Sequence, residues 1–272
     1  MNNIFKVAPL PDTQSTIDTR EIKIDQVGIK DIRYPISILL EGTAFQTIAT
    51  LSMTVGLPSH EKGTHMSRFI ELLELKREAL DQTRFKILIF EMLDKLGATH
   101  GEIQMEFPAF LSKTAPISGV KSKLDYDVSW LGSVSEIGEY TFYMSVKVPV
   151  TSLCPCSKGI SDYGAHNQRS IICIKAELDD EMPMRHLISI AEKNASCEIY
   201  GLLKRPDEKY VTEHAYDHPK FVEDLVRDIA LSLNKEDQIK SYSIDTENFE
   251  SIHNHSAFAR ITRAKKPQPI LK

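Results

Sequence analysis

The sequence predicts an α+β chain in which antiparallel sheets carry helices on one face, built as two tandem ββααββ modules. Three observations lead there. Runs of β-branched and apolar residues with partial alternation flank each half of the chain. Two patterns of helical period lie between those runs in each half. The order strands, helices, strands then occurs twice, with no residue-level identity between the halves.

Residues 1–25 are polar and aperiodic and read as a flexible N-terminal arm, with a Leu10-Pro11-Asp12 turn able to dock on a neighbour. Order is expected from about Ile32. The stretch Tyr34 to Pro58 has β-branched residues around a Glu41-Gly42 turn and reads as a hairpin. Met66, Phe69, Ile70 and Leu73 then mark one helical face. Phe85, Ile87, Leu88, Met92 and Leu96 mark another, with Gly97 as its C-cap. Strands follow at Gly101–Leu111 and as a long pair across Lys123–Val150, turning near Ser133–Gly138. The first module is expected over 26–145 and the second over 146–272. In the second, Val146–Thr151 and Arg169–Leu178 are strand-like, Met184–Cys197 and Phe221–Leu233 are helical, and Ile239–Glu247 and His255–Arg263 close as strands. Such sheets leave exposed edges, which invite pairing with other subunits. Closure into barrels on oligomerisation removes them, so an oligomer is expected.

Composition narrows the function classes. The chain has 272 residues, 42% hydrophobic and 26% charged, enough apolar material for a core. Net charge is −5 with no concentrated basic face, which argues against a double-stranded nucleic acid partner. No run is long and apolar enough for a transmembrane helix. The first residues lack a signal pattern, so a cytoplasmic location with reduced cysteines is expected.

The densest chemistry lies in CPCSKGISDYGAHNQRS, Cys154 to Ser170. Cys154 and Cys156 are too close for an unstrained disulfide. Cys154 with His166 offers a thiolate and an imidazole, a good pair for a divalent metal. The competing reading is two small buried residues and a structural histidine. The intervening residues read as a loop, whereas Cys173 and Cys197 look like core. Further ligands would be Glu208, Glu250 and His253, a mixed set suited to a catalytic metal with an open position. Taken alone, Glu250–His255 reads rather as a solvated loop. Glu223 falls in the first turn of a helix, off its apolar stripe. It either complements the helix dipole or offers a carboxylate to paired N–H donors such as those of guanine. Lys62, His65 and Arg68 gather before a helix, as an anion site or as caps and surface charge.

LPDTQ near the start, VGIKDIRYPI, GTHMSRF, the Cys154 segment and LLKRPDEKYVTEHAYDHPKFVEDLVRD occur in order from Leu10 to Arg263. Together they resemble the prokaryote-specific GTP cyclohydrolase of type IB. The resemblance implies the tunnelling fold, in which ββααββ units assemble into barrels, and a homotetramer with active sites between subunits. It implies opening of GTP at C8 of the imidazole ring, release of formate and formation of 7,8-dihydroneopterin triphosphate for tetrahydrofolate and 7-deazaguanine synthesis. Family metal positions fall on Cys154, His166 and Glu208, with Glu250 and His253 as additional or alternative ligands. The expected metal is Zn²⁺ or Mn²⁺, with Fe²⁺ possible in the same donor set. The guanine-anchoring acid falls on Glu223. Cys154, His166 and Cys156 are the catalytic candidates. Lys62, His65, Arg68, Lys158, Arg169, Lys204 and Arg205 are candidates for the triphosphate. Three other readings compete: an archaeal-type enzyme giving the cyclic phosphate, a nitrile reductase on the same fold, and a purine- or pterin-binding protein with a structural metal.

Overall fold

Glu41 and Gly42 make the turn that the sequence predicts. In the computed structural model, which describes residues 12–75 and 78–265, β1 (Ile24–Leu40) doubles back there into β2 (Thr43–Leu57). Both turn residues have positive φ, 49° and 76°, as a two-residue hairpin turn of matching twist requires. β1 starts at Ile24 rather than near Ile32. Register shifts between Ile24 and Val27 and between Ile29 and Ile32 break its alternation, and Asp31 is left-handed at φ 57°. Those bulges hid the start of the strand.

Part of the arm expected to be flexible is docked, and its Leu10-Pro11 pair lies outside the described residues. Lys62 N donates to Thr16 O and Gly63 N to Gln14 O, both at 3.2 Å, and Asp18 N donates to His60 O at 3.0 Å. Gln14 Nε2 donates to Thr64 O at 2.9 Å. Residues 12–18 therefore brace the segment after β2.

The chain continues through α1 (Met66–Glu74), α2 (Gln82–Leu96), β3 (Gly101–Thr114) and β4 (Lys121–Val134). Asp81 caps α2 by accepting from Arg84 N at 2.7 Å, and Gly97 ends it at φ 66°, as expected. β5 (Tyr140–Leu153) runs unbroken through the boundary expected between residues 145 and 146. After β5 come α3 (Pro155–Ile160), β6 (Asn167–Leu178), α4 (Met184–Asn194), β7 (Cys197–Glu198), α5 (Arg205–Asp217), α6 (Val222–Leu233), β8 (Ile239–Asn248) and β9 (Ala257–Ala264). Where the sequence suggested a loop, α3 forms, and β7 takes Cys197 out of the expected helix.

All these strands join one antiparallel sheet in the order β1-β2-β3-β4-β5-β6-β8-β9, with β7 also paired to β5. Strand parity sorts the side chains. Ile103, Met105, Phe107, Ala109 and Leu111 of β3 are buried, while Phe110 between them is exposed. The buried face packs on the helices. Phe85 of α2 is fully buried, with ring centroids 5.5 Å from Trp130 and 5.9 Å from Phe142. Leu225, Ile229 and Leu233 of α6 and Leu187 of α4 are fully buried in the same core. The opposite face carries Lys147, Cys173 and Asp245, so Cys173 is half-exposed there and not core. Cys197 is buried, and burial pushes its thiol up to about 11.

Antiparallel pairing also gives the sheet two ends. Val55 pairs with Gly101, Gly101 with Val134, and Val134 with Tyr140. The end of β2, and the Pro58–His65 segment after it, therefore lies where β5 begins. Leu153 pairs with Asn167, and Ser170 with Asn248. The ends of β5 and β8 and the start of β6 thus share the far end, roughly 40 Å away along β5 at about 3.3 Å per residue.

At that far end, Asp207 anchors α5. Its Oδ1 accepts from Ile117 N at 2.9 Å and Ser118 N at 2.8 Å. Its Oδ2 accepts from Ser118 Oγ at 2.6 Å and Lys204 N at 2.8 Å. Burial pushes the carboxyl up, but these donors outweigh it and hold the group well below the usual aspartate value of 3.8. A depressed value in the folded state stabilises above the ordinary aspartate range, and that contribution is lost as pH falls below it. Asp207→Asn is expected to lower the urea midpoint at neutral pH and to flatten its fall below the ordinary aspartate value of 3.8, where the carboxyl of the unfolded chain protonates while the folded one stays ionised. An unchanged acid limb would show that Asp207 does not hold α5. Phe85→Ala should cost about 3–5 kcal/mol in the same unfolding assay, through the cavity left among Trp130 and Phe142.

Candidate functional site

The site grows out of the end of β5. Its ladder with β6 runs to Leu153–Asn167 and is prolonged by Cys154 N, which donates to His166 O at 3.1 Å. That bond fixes the cysteine and the histidine as backbone neighbours across the intervening residues. Pro155 then starts α3 at a position that needs no N–H donor. The Cys154 side chain caps this helix, its Sγ 3.5 Å from Ser157 N. Ser157 Oγ in turn donates to Cys154 O at 3.1 Å and accepts from His166 N at 3.2 Å. Cys154 is partly buried, and Cys156, at the second position of α3, is exposed.

β8 delivers Glu250. Phe249 N donates to Arg169 O at 3.1 Å, so β8 stays bound to β6 to within one residue of Glu250. Its Oε2 lies 3.9 Å from His166 Nδ1, with both side chains mostly buried. α6 starts here as well, because Lys220 N donates to Leu153 O at 3.0 Å. Glu223 lies in its exposed first turn, off the buried stripe of Val222, Leu225 and Val226, as expected. Lys158 reaches across to α5, where its Nζ donates to Tyr216 O at 2.5 Å and stands 4.2 Å from the Tyr216 ring centroid.

Cys154, His166, Glu250, Lys158, Arg169 and the helix start bearing Glu223 thus share one end of the sheet. Other expected residues do not join them. Glu208 is exposed on α5 beside Arg205, eight residues before Tyr216 and so about 12 Å away along the helix. Lys204, before α5, is exposed as well. His253 is exposed in the turn between β8 and β9 and stacks on His255 at 5.0 Å. Among the described residues no group of three or more His, Cys, Asp and Glu side chains is arranged to hold a metal. The donor chemistry still suits one: a thiolate, an imidazole and carboxylates are the mixed set that divalent transition metals accept.

Lys62, His65 and Arg68 lie at the other end of the sheet. His65 Nε2 is 3.3 Å from Asp12 Oδ2, and Arg68 Nη1 donates to Lys95 O at 3.3 Å. His65, not Thr64, occupies the N-cap position of α1, and it makes no side-chain cap.

Sequence reasoning missed Asp207 and a row of buried polar side chains behind His166, namely Ser152, Gln168, Ser170 and Asn248. Both left a trace. Asp207 follows Pro206 in a run that opens a helix. Gln168 and Ser170 keep the parity of Ile172 and Ile174 in β6, yet they are polar where core residues are due.

Comparison with known proteins identifies the family. A family described as type I GTP cyclohydrolase folE2 matches residues 10–259. The GTP cyclohydrolase FolE2 of Ralstonia nicotianae is 54% identical over 266 residues, covering 98% of this chain and 99% of that protein. That of Cupriavidus necator is 53% identical over 266 residues, with 98% and 99% covered. Among solved structures, the uricase of Arthrobacter globiformis superposes with a TM-score of 0.53 at 8% identity, over 90% of this chain and 95% of that one. That likeness shows the fold alone, a mixed α/β chain on an antiparallel sheet. A family match over most of the length, with relatives above half identical, places this chain in the type I GTP cyclohydrolase FolE2 family.

Proposed function

We propose that this chain, a GTP cyclohydrolase of folate biosynthesis, opens the guanine imidazole ring of GTP at a divalent metal site shared between subunits. The products are formate and 7,8-dihydroneopterin triphosphate. Family membership supports the activity. The observation that supports the shared site is the length of the sheet. Cys154 and His166 occupy one end and Lys62, His65 and Arg68 the other, roughly 40 Å apart along β5. One GTP cannot touch both sets in one chain, whereas a second chain brought end to end can supply the missing set. An oligomer built this way, a homotetramer on the tunnelling fold, also covers the edge strands β1 and β9.

Cys154, His166 and Glu208 would hold the metal, with Glu250 and His253 as further or alternating ligands. Zn²⁺, Mn²⁺ and Fe²⁺ all suit this set. Once bound, the metal supplies Lewis acidity that makes water a nucleophile near neutral pH. The protein's own groups do the rest. Glu223 accepts the two N–H donors of the guanine edge and so fixes which face of the base meets His166. Exposed Cys156, next but one to Cys154, is placed to donate to the substrate. Lys158, Arg169, Lys204 and Arg205, with Lys62, His65 and Arg68 of a second chain, offset the triphosphate charge on a protein of net charge −5.

Metal-stripped protein given GTP should release formate only after Zn²⁺, Mn²⁺ or Fe²⁺ is restored, and the product should weigh as a linear triphosphate. A cyclic phosphate product would overturn the stated reaction, and GTP binding without formate would leave a binding protein. Cys154→Ala and His166→Ala should each lower formate release by more than about 100-fold. Arg68→Ala should raise KM more than it lowers kcat. Arg68→Ala and Cys154→Ala chains, unfolded together and reassembled, should regain formate release at GTP concentrations where neither works alone. No recovery in mixed oligomers would place a complete site within one chain.

A further inference from the structure

Behind His166 runs a chain of buried hydrogen bonds whose donors and acceptors can be ordered from one end to the other. Gln168 lies opposite Ser152 across the β5–β6 ladder, and Ser170 opposite Asn248 across β6–β8. Strand parity puts Gln168 and Ser170 on one face. Ser152 and Ser170 are fully buried, and Gln168 and Asn248 nearly so.

With Asn248 presenting Oδ1 to Ser170, the order follows from proton counting. Ser170 Oγ donates to Asn248 Oδ1 at 2.8 Å, which uses its single proton. The contact between Ser152 Oγ and Ser170 Oγ at 2.7 Å must then carry the Ser152 proton. With its proton spent, Ser152 Oγ can only accept at its contact with Gln168, 2.9 Å away, so the Gln168 amide nitrogen faces it. The other end of the amide, Oε1, is therefore the atom 3.0 Å from His166 Nδ1. An amide oxygen only accepts, so Nδ1 carries the proton. The second group near Nδ1, Glu250 Oε2 at 3.9 Å, is also an acceptor. The lone pair of neutral His166 is left on Nε2.

We propose that Gln168 is a positioning residue. Through Ser152, Ser170 and Asn248, it locks His166 as the Nδ1–H tautomer and so presents Nε2 to the divalent metal. This rests on the reading of His166 as a ligand. A ligating histidine whose other nitrogen is held loses less on binding than one that must first choose its tautomer and turn its ring. The chain also links the two strands that carry metal candidates. Asn248 lies two residues before Glu250, so the bonds that orient His166 also hold the end of β8 from which Glu250 projects.

The test reads the tautomer and the metal affinity, not turnover. Ring ¹⁵N shifts of His166 in metal-free full-length protein should show Nδ1 protonated and Nε2 bare. Gln168→Leu, close in volume, should move His166 toward the Nε2–H form and weaken Zn²⁺ binding, measured by chelator competition, by about 10- to 100-fold. Gln168→Glu keeps an acceptor toward Nδ1 and should retain both the tautomer and the affinity, even if burial of its charge lowers Tm. A role in packing alone predicts the reverse, with Gln168→Leu tolerated and Gln168→Glu the worse variant. An Nε2–H tautomer in the parent protein, or unchanged Zn²⁺ affinity in Gln168→Leu while His166→Ala binds weakly, would overturn the positioning role. Unchanged affinity in His166→Ala would instead remove the ligand reading, and the presentation of Nε2 to metal with it.

Discussion

The register between β5 and β6 decides where every group at this site can stand. Leu153 faces Asn167, and Cys154 N closes on His166 O at 3.1 Å one step beyond. With a side-chain period of two, a slip of one residue would turn Gln168 and Ser170 to the uncovered face and put Arg169 into the core. The core forbids this. Ile172, Ile174 and Ala176 follow at the same parity, each fully buried. Burying an aliphatic side chain of this size is worth about 1.5–3 kcal/mol, so the far part of β6 holds the near part in place. Apolar packing along the strand is thus what aims the polar groups at its mouth.

The same register has a consequence at the level of the assembly. An antiparallel sheet of long strands puts its loops at two ends and nowhere between. Chemistry divided between the β2–α1 segment and the β5–β6 segment is therefore divided in space. Folding a single chain tighter cannot join the two, because the strands are filled along their length by the aromatic cluster of Phe85, Phe107, Trp130 and Phe142. Association with another chain can join them. It also addresses β9, whose residues are mostly exposed although the strand is paired on one side only. On the proposed reading, the edges and the divided site ask for the same remedy.

Much of this fold could be read in the sequence because local signals and tertiary packing agree. The Glu41-Gly42 turn, the Gly97 cap and the stripe of Leu225 and Ile229 state the same structure that packing enforces. What escaped were places where one signal is interrupted. The bulges around Asp31 broke the alternation of β1. The six residues of α3 are too few for a periodic pattern, and two glycines nearby favoured a loop. The candidate site divided in the same way. Residue type and spacing point to Cys154 and His166, which the backbone brings together. No spacing rule could show that Glu208, on a helix anchored by Asp207 at Ser118, stays away from them in one chain. Gln168 and Ser170 were visible only as polar residues at core parity.

Charge supplies the last constraint, on how a nucleotide enters. Glu223 and Glu250 gather at the end of β5, and their carboxylates repel a phosphate placed directly against them. On the proposed reading Glu223 meets a guanine there, whose N–H edge is a donor and whose ring is uncharged. Lys158 and Arg169 lie at the same end, Lys204 and Arg205 are exposed at the start of α5, and Lys62 stands exposed at the opposite end of the sheet. The proposed function then requires an orientation with the base toward Glu223 and the phosphates toward these cations and the junction with a neighbouring chain. A nucleotide reversed in such a site would put its phosphates against Glu223 and Glu250 and leave Glu223 without its donors, so on the proposed reading electrostatics favours the productive pose.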